Sequence, residues 1–358
     1  MTLNFNSKKI FFIAEIGVNH NGKLEIAKKL IKQAKLSGAD AVKFQLFKSK
    51  DLVTQDCKKA NYQIKNTKGN NKQLDMLRKL ELSHKNYFKI IKYCKKINIK
   101  CFTSVFDEKS YSYVADELQQ KIVKIPSGEI TNYFLLKKVD IKKTKVLLST
   151  GMSKINEIIN AINLISNLKV YKIDKNKIII NYKNLRLIKN KILVMQCTTD
   201  YPLSDQYVNL NSLDYFRNIL KLEVGFSDHT PDQISSIIAA SKNCKIFEKH
   251  FTLSKKMSGP DHSASIDPIT LKNLISNLKR VPKILGTYGK KIEKCEIKNI
   301  NLVRKKIVAK TFIKKGDIFS IKNITLKRPG NNTNPFKVKK IFGKKAKKNY
   351  RIDQDLII

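Results

Sequence analysis

Two stretches decide the fold prediction, Leu220-Lys-Leu-Glu-Val-Gly-Phe-Ser-Asp-His-Thr230 and Cys244-Lys-Ile-Phe-Glu-Lys-His-Phe-Thr252. Each is a short apolar run that leads into polar and titratable side chains. Such runs are typical of buried parallel strands, which present functional groups at their carboxyl ends. His229 and His250, at two neighbouring strand ends, could share one divalent metal with Asp261 nearby. Two histidines packed in a core, beside a surface loop, would explain the same residues equally well.

The same unit, a strand followed by a helix, recurs along the chain. Between Ile10 and Leu285 we count eight such units, which predict a parallel sheet with right-handed crossovers. This number of units favours an α/β fold of the closed (β/α)8 type, a TIM barrel. A doubly wound open sheet is the alternative, but no Gly-x-Gly-x-x-Gly follows the first strand.

The pattern changes after the predicted barrel. We expect residues 1–288 to form the barrel, residues 289–301 a polar linker, and residues 302–358 a small β-rich domain. Within the barrel region, Leu46–Leu82 predicts a long polar connection with one short helix near Leu74–Leu80, which indicates a lid or a subdomain. Lys169–Lys191 resembles an insertion that could form a small hairpin.

The composition excludes some classes of function. The chain has 72 Lys and Arg against 29 Asp and Glu, a net charge of +43. Because the lysines are spread along the whole chain without a basic arm, we attribute them to residue usage and disfavour specific nucleic-acid binding. A basic surface will still attract anionic substrates. Six cysteines without CxxC spacing predict reduced thiols in a cytoplasmic protein, and no apolar run reaches the length of a membrane span.

In a barrel, the carboxyl ends of all strands open on one face. We therefore expect the polar residues at these ends to meet there: Glu15, Lys43, Gln45, Ser104, Lys124, Ser127, Glu129, Ser149, Thr199, Tyr201, Ser227, Asp228, His229 and His250. Two lysines among several serine hydroxyls favour a site for an anion that carries a phosphate and a carboxylate. Each serine alone could cap a helix and each lysine alone could be solvated, so the shared location carries the argument.

Several motifs occur in a fixed order along the chain. They are Ala14-Glu-Ile-Gly-Val-Asn-His-Asn-Gly22, Val42-Lys-Phe-Gln45, Lys124-Ile-Pro-Ser-Gly-Glu129, Ser149-Thr-Gly-Met152, Gly225-Phe-Ser-Asp-His-Thr230, Glu248-Lys-His-Phe-Thr252 and Gly259-Pro-Asp-His-Ser-Ala-Ser265. Together they resemble the bacterial sialic acid synthases, the N-acetylneuraminate and legionaminate synthases. Lys327-Arg-Pro-Gly330 in the tail resembles the C-terminal antifreeze-like (SAF) domain of that family.

The resemblance implies a transferase that forms a carbon–carbon bond, in the EC 2.5.1 class. Such an enzyme condenses phosphoenolpyruvate with an N-acetylated hexosamine and water, in a metal-dependent reaction that gives a nonulosonic acid and phosphate. N-acetylmannosamine and 2,4-diacetamido-2,4,6-trideoxymannose are the two acceptors to consider. The family also implies a cytoplasmic homodimer in which the small domain of one subunit caps the barrel of the other. The alternatives are a related phosphoenolpyruvate-condensing barrel with a different sugar acceptor, and a basic polyanion-binding protein.

The resemblance also implies roles for individual residues. His229 and His250 would be the metal ligands, with Mn²⁺ the first expectation and Mg²⁺ or Co²⁺ the alternatives. Glu15 and Asp261 would be catalytic, holding a metal-bound water and moving protons. The phosphoenolpyruvate site would comprise Lys43, Ser104, Lys124, Ser127, Ser149 and Ser227. The sugar site would comprise Gln45, Glu129, Tyr201, Asp261 and, from the neighbouring subunit, Arg328.

Overall fold

The chain folds as two units, Met1–Gly286 and Thr287–Ile358. The computed structural model describes residues 3–5, 7, 9–67, 70–175, 177–330 and 334–356. Met1 and Ile358, the outer ends of the first and last predicted domains, lie outside the described residues.

The first unit is built on a closed barrel of parallel strands. Its strands, together with one hairpin, are β1 Phe11–Gly17, β2 Ala41–Leu46, β3 Lys100–Val105, β4 Ile122–Ile125, β5 Lys145–Ser149, β6 Tyr171–Asp174, β7 Lys177–Ile180, β8 Ile192–Gln196, β9 Val224–Asp228 and β10 Ile246–His250. Strands β6 and β7 pair antiparallel outside the barrel. The other eight follow one another around the barrel in chain order, and β10 closes it against β1. The predicted (β/α)8 barrel is confirmed.

Helices connect the strands. In chain order they are α1 Leu24–Leu36, α2 Ser49–Leu52, α3 Asn61–Asn66, α4 Gln73–Leu80, α5 His84–Lys96, α6 Glu108–Ser112, α7 Tyr133–Lys138, α8 Ile155–Ser166, α9 Tyr182–Ile188, α10 Asn211–Leu220, α11 Ile234–Ser241, α12 Pro268–Leu285 and α13 Ile297–Val303. The helix α1 shows why they form, since it buries Ala27, Leu30, Ile31 and Ala34 on one face at helical spacing. Among the described residues, no helix combines the length and the apolar character needed to cross a membrane.

The connection from β2 to α5 contains more helix than the sequence predicts. The sequence indicates one short helix near Leu74–Leu80, whereas the structure forms α2, α3 and α4 there. The first two were missed because they have four and six residues, too few to establish a helical period. Asn66 at the end of α3 donates from Nδ2 to the carbonyl oxygen of Pro260, at 2.8 Å, and to Ser263 Oγ, at 2.9 Å. These bonds hold α3 against the loop that follows β10.

Side chains fill the barrel interior in two layers with different chemistry. The lower layer is apolar and contains Ile13, Ala41, Phe102, Ile122, Leu147, Leu193 and Ile246, with Leu3 and Phe5 closing the lower end. Burying each large side chain contributes about 1.5–3 kcal/mol, so this layer stabilises the barrel. Because side chains alternate along a strand, the inward residue two positions later begins the upper layer. That layer is polar, and it is the candidate site.

The second unit has a small core of its own. Strands β11 Lys306–Ala309 and β12 Ile324–Lys327 pair antiparallel, and Pro335–Lys340 forms a 3₁₀ turn. The core comprises Ile307, Ala309, Ile313, Phe319, Ile324, Ile341, Ala346, Tyr350 and Leu356. The segment predicted as the linker, residues 289–301, overlaps most of α13, whose seven residues are too few to give a clear helical pattern in the sequence.

Candidate active site

The strand register brings the predicted residues to one level of the barrel. Glu15 lies opposite His250 on one side and Lys43 on the other. On the next two strands around the barrel, β3 and β4, Ser104 pairs in register with Lys124. These positions are inward-facing and at the carboxyl ends of the strands, as the barrel prediction requires. Each of the five side chains is at least 90% buried, so their charges interact in a poorly solvated space.

Two lysines and two carboxylates form a connected cluster in this layer. Lys43 Nζ lies 2.8 Å from Glu15 Oε2 and donates to Ser104 Oγ at 2.7 Å. Lys124 Nζ donates to both oxygens of Glu248, at 3.0 and 3.2 Å. The same carboxylate lies 3.7 Å from Lys43 Nζ. Glu248 therefore joins the two lysines that the sequence predicts to bind an anion.

The cluster controls the ionisation of its own members. Burial alone would raise the pKa of Glu248, but the ammonium groups of Lys124 and Lys43 outweigh it and hold that pKa at about 2. Burial raises the pKa of Glu15, against the opposing charge of Lys43. For Lys124, burial dominates and lowers the pKa, although Glu248 acts in the other direction. Glu248 is thus a fixed negative charge, and Glu15 takes up a proton more readily than an exposed glutamate.

His229 and His250 lie at the open side of this cluster, with ring centroids 5.9 Å apart. His229 Nδ1 is 2.6 Å from the carbonyl oxygen of Thr198, so Nδ1 carries the proton and Nε2 keeps its lone pair. His250 Nδ1 is buried without a hydrogen-bond partner among the described residues, and Asp261 Oδ2 lies 3.8 Å from it. Burial lowers the pKa of His229 to about 4, and burial followed by the charge of His229 lowers the pKa of His250. Both imidazoles are therefore neutral near pH 7.

Two neutral imidazoles with available lone pairs fit a divalent metal. The Thr198 carbonyl fixes the ring of His229, which is the usual support for a metal-bound histidine. Within the part of the chain that the structure describes, no group of three or more His, Cys, Asp or Glu side chains is arranged to hold a metal. The donor set is therefore two histidines, and a metal here would keep open positions for water or substrate.

Asp261 adds a carboxyl group beside the histidines. Burial, and after it the nearby charge of Glu15, raise the pKa of Asp261 to about 7. Its backbone is fixed, because Ser265 Oγ donates to the carbonyl oxygen of Asp261 at 2.6 Å. A carboxyl group with this pKa can give and take a proton near neutral pH.

A second group of hydroxyls lies where β4, β5 and β8 end. Ser127 Oγ accepts a hydrogen bond from the backbone N–H of Gly151, at 3.0 Å. A Cβ on Gly151 would stand 2.2 Å from Thr199 Oγ1 and 2.8 Å from Ser127 Oγ, so only glycine allows this approach. Thr199 Oγ1 is buried without a hydrogen-bond partner among the described residues, and Ser149 lies at the carboxyl end of β5. These hydroxyls remain available for a ligand.

A partly open cavity of about 110 Å³ extends from His250 to the α3–α4 region. It is lined by Val18, Gln45, Tyr62, Gln63, Met76, Leu77, Leu80, Tyr201, His250, Pro260 and Asp261. Gln45 Nε2 donates to Glu15 Oε1 at 3.3 Å, which ties the cavity to the charged cluster. The ring of Tyr201 packs against that of His229 in a tilted arrangement, with ring centroids 4.3 Å apart. The predicted sugar residues Gln45, Tyr201 and Asp261 are thus brought together.

Two predicted sugar residues are not joined to this cavity. Glu129 follows β4 in a 3₁₀ turn, where it accepts from Asn132 Nδ2 at 2.7 Å. None of its hydrogen bonds within the described residues reaches the cluster. Arg328 follows β12 in the second unit, so the barrel's own residues form the cavity without it.

Two residues of the site, Glu248 and Tyr62, were not predicted from the sequence. The signal for Glu248 was present, because Glu248 and His250 are two residues apart on one strand and must face the same side. The same alternation puts Lys43 and Gln45 on one face of β2. No comparable signal existed for Tyr62, since its position depends on the folding of the long connection after β2.

Comparisons with known proteins agree on one family. Residues 30–290 match the NeuB family. The chain is 45% identical to N,N'-diacetyllegionaminic acid synthase of Campylobacter jejuni over 97% of this chain and 98% of that protein. It is 37% identical to N,N'-diacetyllegionaminic acid synthase of Legionella pneumophila, over 96% and 92% of the two chains. A crystal structure of N-acetylneuraminic acid synthetase from Leptospira borgpetersenii, in complex with citrate, superimposes with a TM-score of 0.66 at 25% identity, covering 82% of this chain and 90% of that one.

Proposed function

The chain belongs to the NeuB family, and we propose that it condenses phosphoenolpyruvate with an N-acetylated hexosamine to give a nonulosonic acid and phosphate. The two relatives described above are legionaminic acid synthases, which favours 2,4-diacetamido-2,4,6-trideoxymannose over N-acetylmannosamine as the acceptor. We place the reaction in the cytoplasm, where phosphoenolpyruvate is formed and where the free cysteines stay reduced.

One observation carries the proposal. The buried cluster of Lys43, Lys124 and Glu248 lies in the same layer as two neutral histidines. The ammonium groups of Lys43 and Lys124 lie beside the carboxyl groups of Glu15 and Glu248, and they give a small anion two buried cationic partners. Surrounding hydroxyls supply directed donors for phosphate and carboxylate oxygens. A general polyanion binder would carry its lysines on the surface, where these two are not.

The residues divide the reaction between them. Lys43, Lys124 and the hydroxyls of Ser104, Ser127, Ser149 and Ser227 would hold phosphoenolpyruvate. Its C3 then attacks the aldehyde carbon of the open-chain sugar, and one carbon–carbon bond forms. Water adds at C2, which has become electron-deficient, and phosphate leaves by cleavage of its bond to C2. Asp261 would deliver a proton to the aldehyde oxygen and Glu15 would accept one from the water, because both have raised pKa values.

The neutral histidines His229 and His250 would hold the divalent metal, for which we propose Mn²⁺, with Mg²⁺ or Co²⁺ as alternatives. When bound, such a metal polarises the aldehyde carbonyl of the acceptor as a Lewis acid. The unpartnered Nδ1 of His250 supports this assignment, because a buried nitrogen without a partner is otherwise unfavourable.

The first experiment is phosphate release from phosphoenolpyruvate by metal-stripped protein, with and without added Mn²⁺. N-acetylmannosamine and the 2,4-diacetamido sugar are supplied separately. We expect release that requires both metal and acceptor, at least tenfold faster with the diacetamido sugar. Equal release without an acceptor would contradict a condensation. No release with either sugar would favour the alternative of another acceptor.

We further propose that the second unit is an antifreeze-like (SAF) domain and that Arg328 completes the sugar site of a neighbouring subunit. In a homodimer of this kind, His250→Ala inactivates a subunit's own barrel, whereas Arg328→Ala inactivates its partner's. Mixing the two inactive variants, after unfolding and refolding together, should restore about a quarter of the wild-type activity, since half of the dimers are mixed and each contains one intact site. The control is Lys322→Ala, which replaces an exposed side chain in the same unit and should keep full activity. If the mixture forms dimers but recovers no activity, the proposal that Arg328 completes the site of the neighbouring subunit is refuted.

A further inference from the structure

The candidate cavity has two chemically different ends. Gln45, His250 and Asp261 line the end that faces the charged cluster. The other end is formed by α3 and α4, which contribute Tyr62, Gln63, Met76, Leu77 and Leu80. An acceptor sugar with its aldehyde carbon at the first end must extend its opposite end toward α3 and α4.

A row of aromatic rings sets the direction of this extension. Tyr201 lies against the two histidines, with its centroid 4.3 Å from that of His229 and 5.4 Å from that of His250. Tyr62 also packs against Tyr201, with ring centroids 5.3 Å apart, and it lines the same cavity as His250 and Asp261. The ring of Tyr62 therefore lies one aromatic contact beyond the ring that touches the histidines.

The hydrogen bonds around Tyr62 leave one donor unused. Gln63 Nε2 donates to the Tyr62 hydroxyl oxygen at 3.3 Å. The amide of Gln63 is itself fixed, because its Oε1 accepts from the Ala60 N–H and from Gln73 Nε2. The hydroxyl hydrogen of Tyr62 has no acceptor among the described residues. Burial raises the pKa of Tyr62, with a smaller contribution from Asp261, so the hydroxyl stays protonated and can donate.

The remaining wall of this end is apolar. Met76 and Leu80 are buried and pack with Val18, Phe47 and Leu77 in a separate small cluster. Thr67 Oγ1 lies 4.0 Å from the Met76 sulfur, and this hydroxyl already donates to the carbonyl oxygen of Gln63 at 2.6 Å. The side chains of Met76, Leu77 and Leu80 offer no strong hydrogen-bond partner, so a sugar hydroxyl packed against them would lose its hydration, whereas a methyl group would be accepted.

We propose that Tyr62 and the Met76–Leu80 wall select the acceptor by its remote end. Tyr62 donates its hydroxyl hydrogen to the carbonyl of an acetamido group at C4, and the wall packs against a methyl group at C6. This inference rests on the proposed function and makes it more specific, since it assigns the recognition of a 4-acetamido-6-deoxy sugar to the short helices after β2.

The role of Tyr62 is tested as in a double-mutant cycle, in which one substitution in the protein is combined with one change in the substrate. Tyr62→Phe and the wild-type holoenzyme are compared on 2,4-diacetamido-2,4,6-trideoxymannose and on the analogue that lacks the C4 acetamido group. We expect Tyr62→Phe to lower kcat/KM about tenfold for the diacetamido sugar and less than twofold for the analogue, since one hydrogen bond is lost only in the first case. The matched control is Tyr207→Phe, which makes the same substitution at an exposed tyrosine.

A second variant tests the apolar wall. Met76→Gln keeps the length of the side chain but adds an amide, so the preference for the 6-deoxy acceptor over its 6-hydroxy counterpart should fall about tenfold. Met257→Gln makes the same exchange outside the cavity and should leave the preference unchanged.

The outcomes separate this inference from the proposed function. Equal losses on both sugars with Tyr62→Phe would mean that Tyr62 acts only by supporting Tyr201, and would overturn its role in selection. An unchanged 6-deoxy preference in a folded Met76→Gln variant would overturn the role of the wall. If the wild-type protein releases no phosphate with any acceptor, the proposed function itself fails.

Discussion

Replacing Glu248 with glutamine is expected to lower the free energy of unfolding by about 3 kcal/mol at pH 7, because two buried ammonium groups lose the carboxylate between them. The pKa of Glu248 is depressed from 4.5 to about 2 in the folded protein. Its stabilising contribution is therefore present above pH 4.5 and is lost as the pH falls toward 2. Denaturant unfolding of both proteins between pH 7 and pH 3 should show a difference that is constant at first and then shrinks.

The same substitution should weaken phosphoenolpyruvate binding. Burial, followed by repulsion from Lys43, already disfavours the charged form of Lys124, and Glu248 opposes both. Without that carboxylate the pKa of Lys124 falls further, so KM for phosphoenolpyruvate should rise about tenfold and recover as the pH is lowered. Glu25→Gln, which removes one partner of an exposed ion pair with Lys28, is the control and should change neither property. A Glu248→Gln protein of wild-type stability would contradict the central place given to this carboxylate.

Replacing His250 with alanine is expected to reduce turnover about a thousandfold or more while the protein stays folded. Removing a metal ligand forfeits several kcal/mol of transition-state stabilisation. The cost to folding is small, about 1–2 kcal/mol, because the buried Nδ1 of His250 makes no hydrogen bond that the fold would lose. Phosphate release, Mn²⁺ binding by calorimetry and thermal unfolding should be measured together.

The control for this variant is His84→Ala, which replaces an exposed histidine that stacks on Tyr113 and does not line the cavity. It should bind Mn²⁺ and turn over as the wild type does. If His250→Ala instead unfolds, or if it binds Mn²⁺ normally, then His250 is a core histidine. That alternative was left open by the sequence and would then be the correct one.

Much of the site could be predicted because all strands of a barrel end on the same face, so the residues at the strand ends can be located from the sequence. Alternation along β2 indicated that Lys43 and Gln45 face one side, and the structure confirms that both lie inside the barrel mouth. The same rule applied to β10 would have found Glu248. Glu248 was grouped with Lys249 and His250 as one polar cluster after the strand, and the alternation was not applied to it. In the structure, Lys249 points away and pairs with Asp228 at 2.8 Å.

The sequence by itself determined the order of strands and helices, the closed parallel barrel and the set of polar residues at its carboxyl end. Periodicity and alternation are local properties, and eight repeated units leave few arrangements for the strands. Only the tertiary structure decided which charges meet, because Glu248 is 124 residues from Lys124 and more than 200 from Lys43. It also decided where α3 lies, since Asn66 is held by Pro260 and Ser263, residues 194 and 197 positions away. Contacts across such separations depend on packing, and no local pattern encodes them.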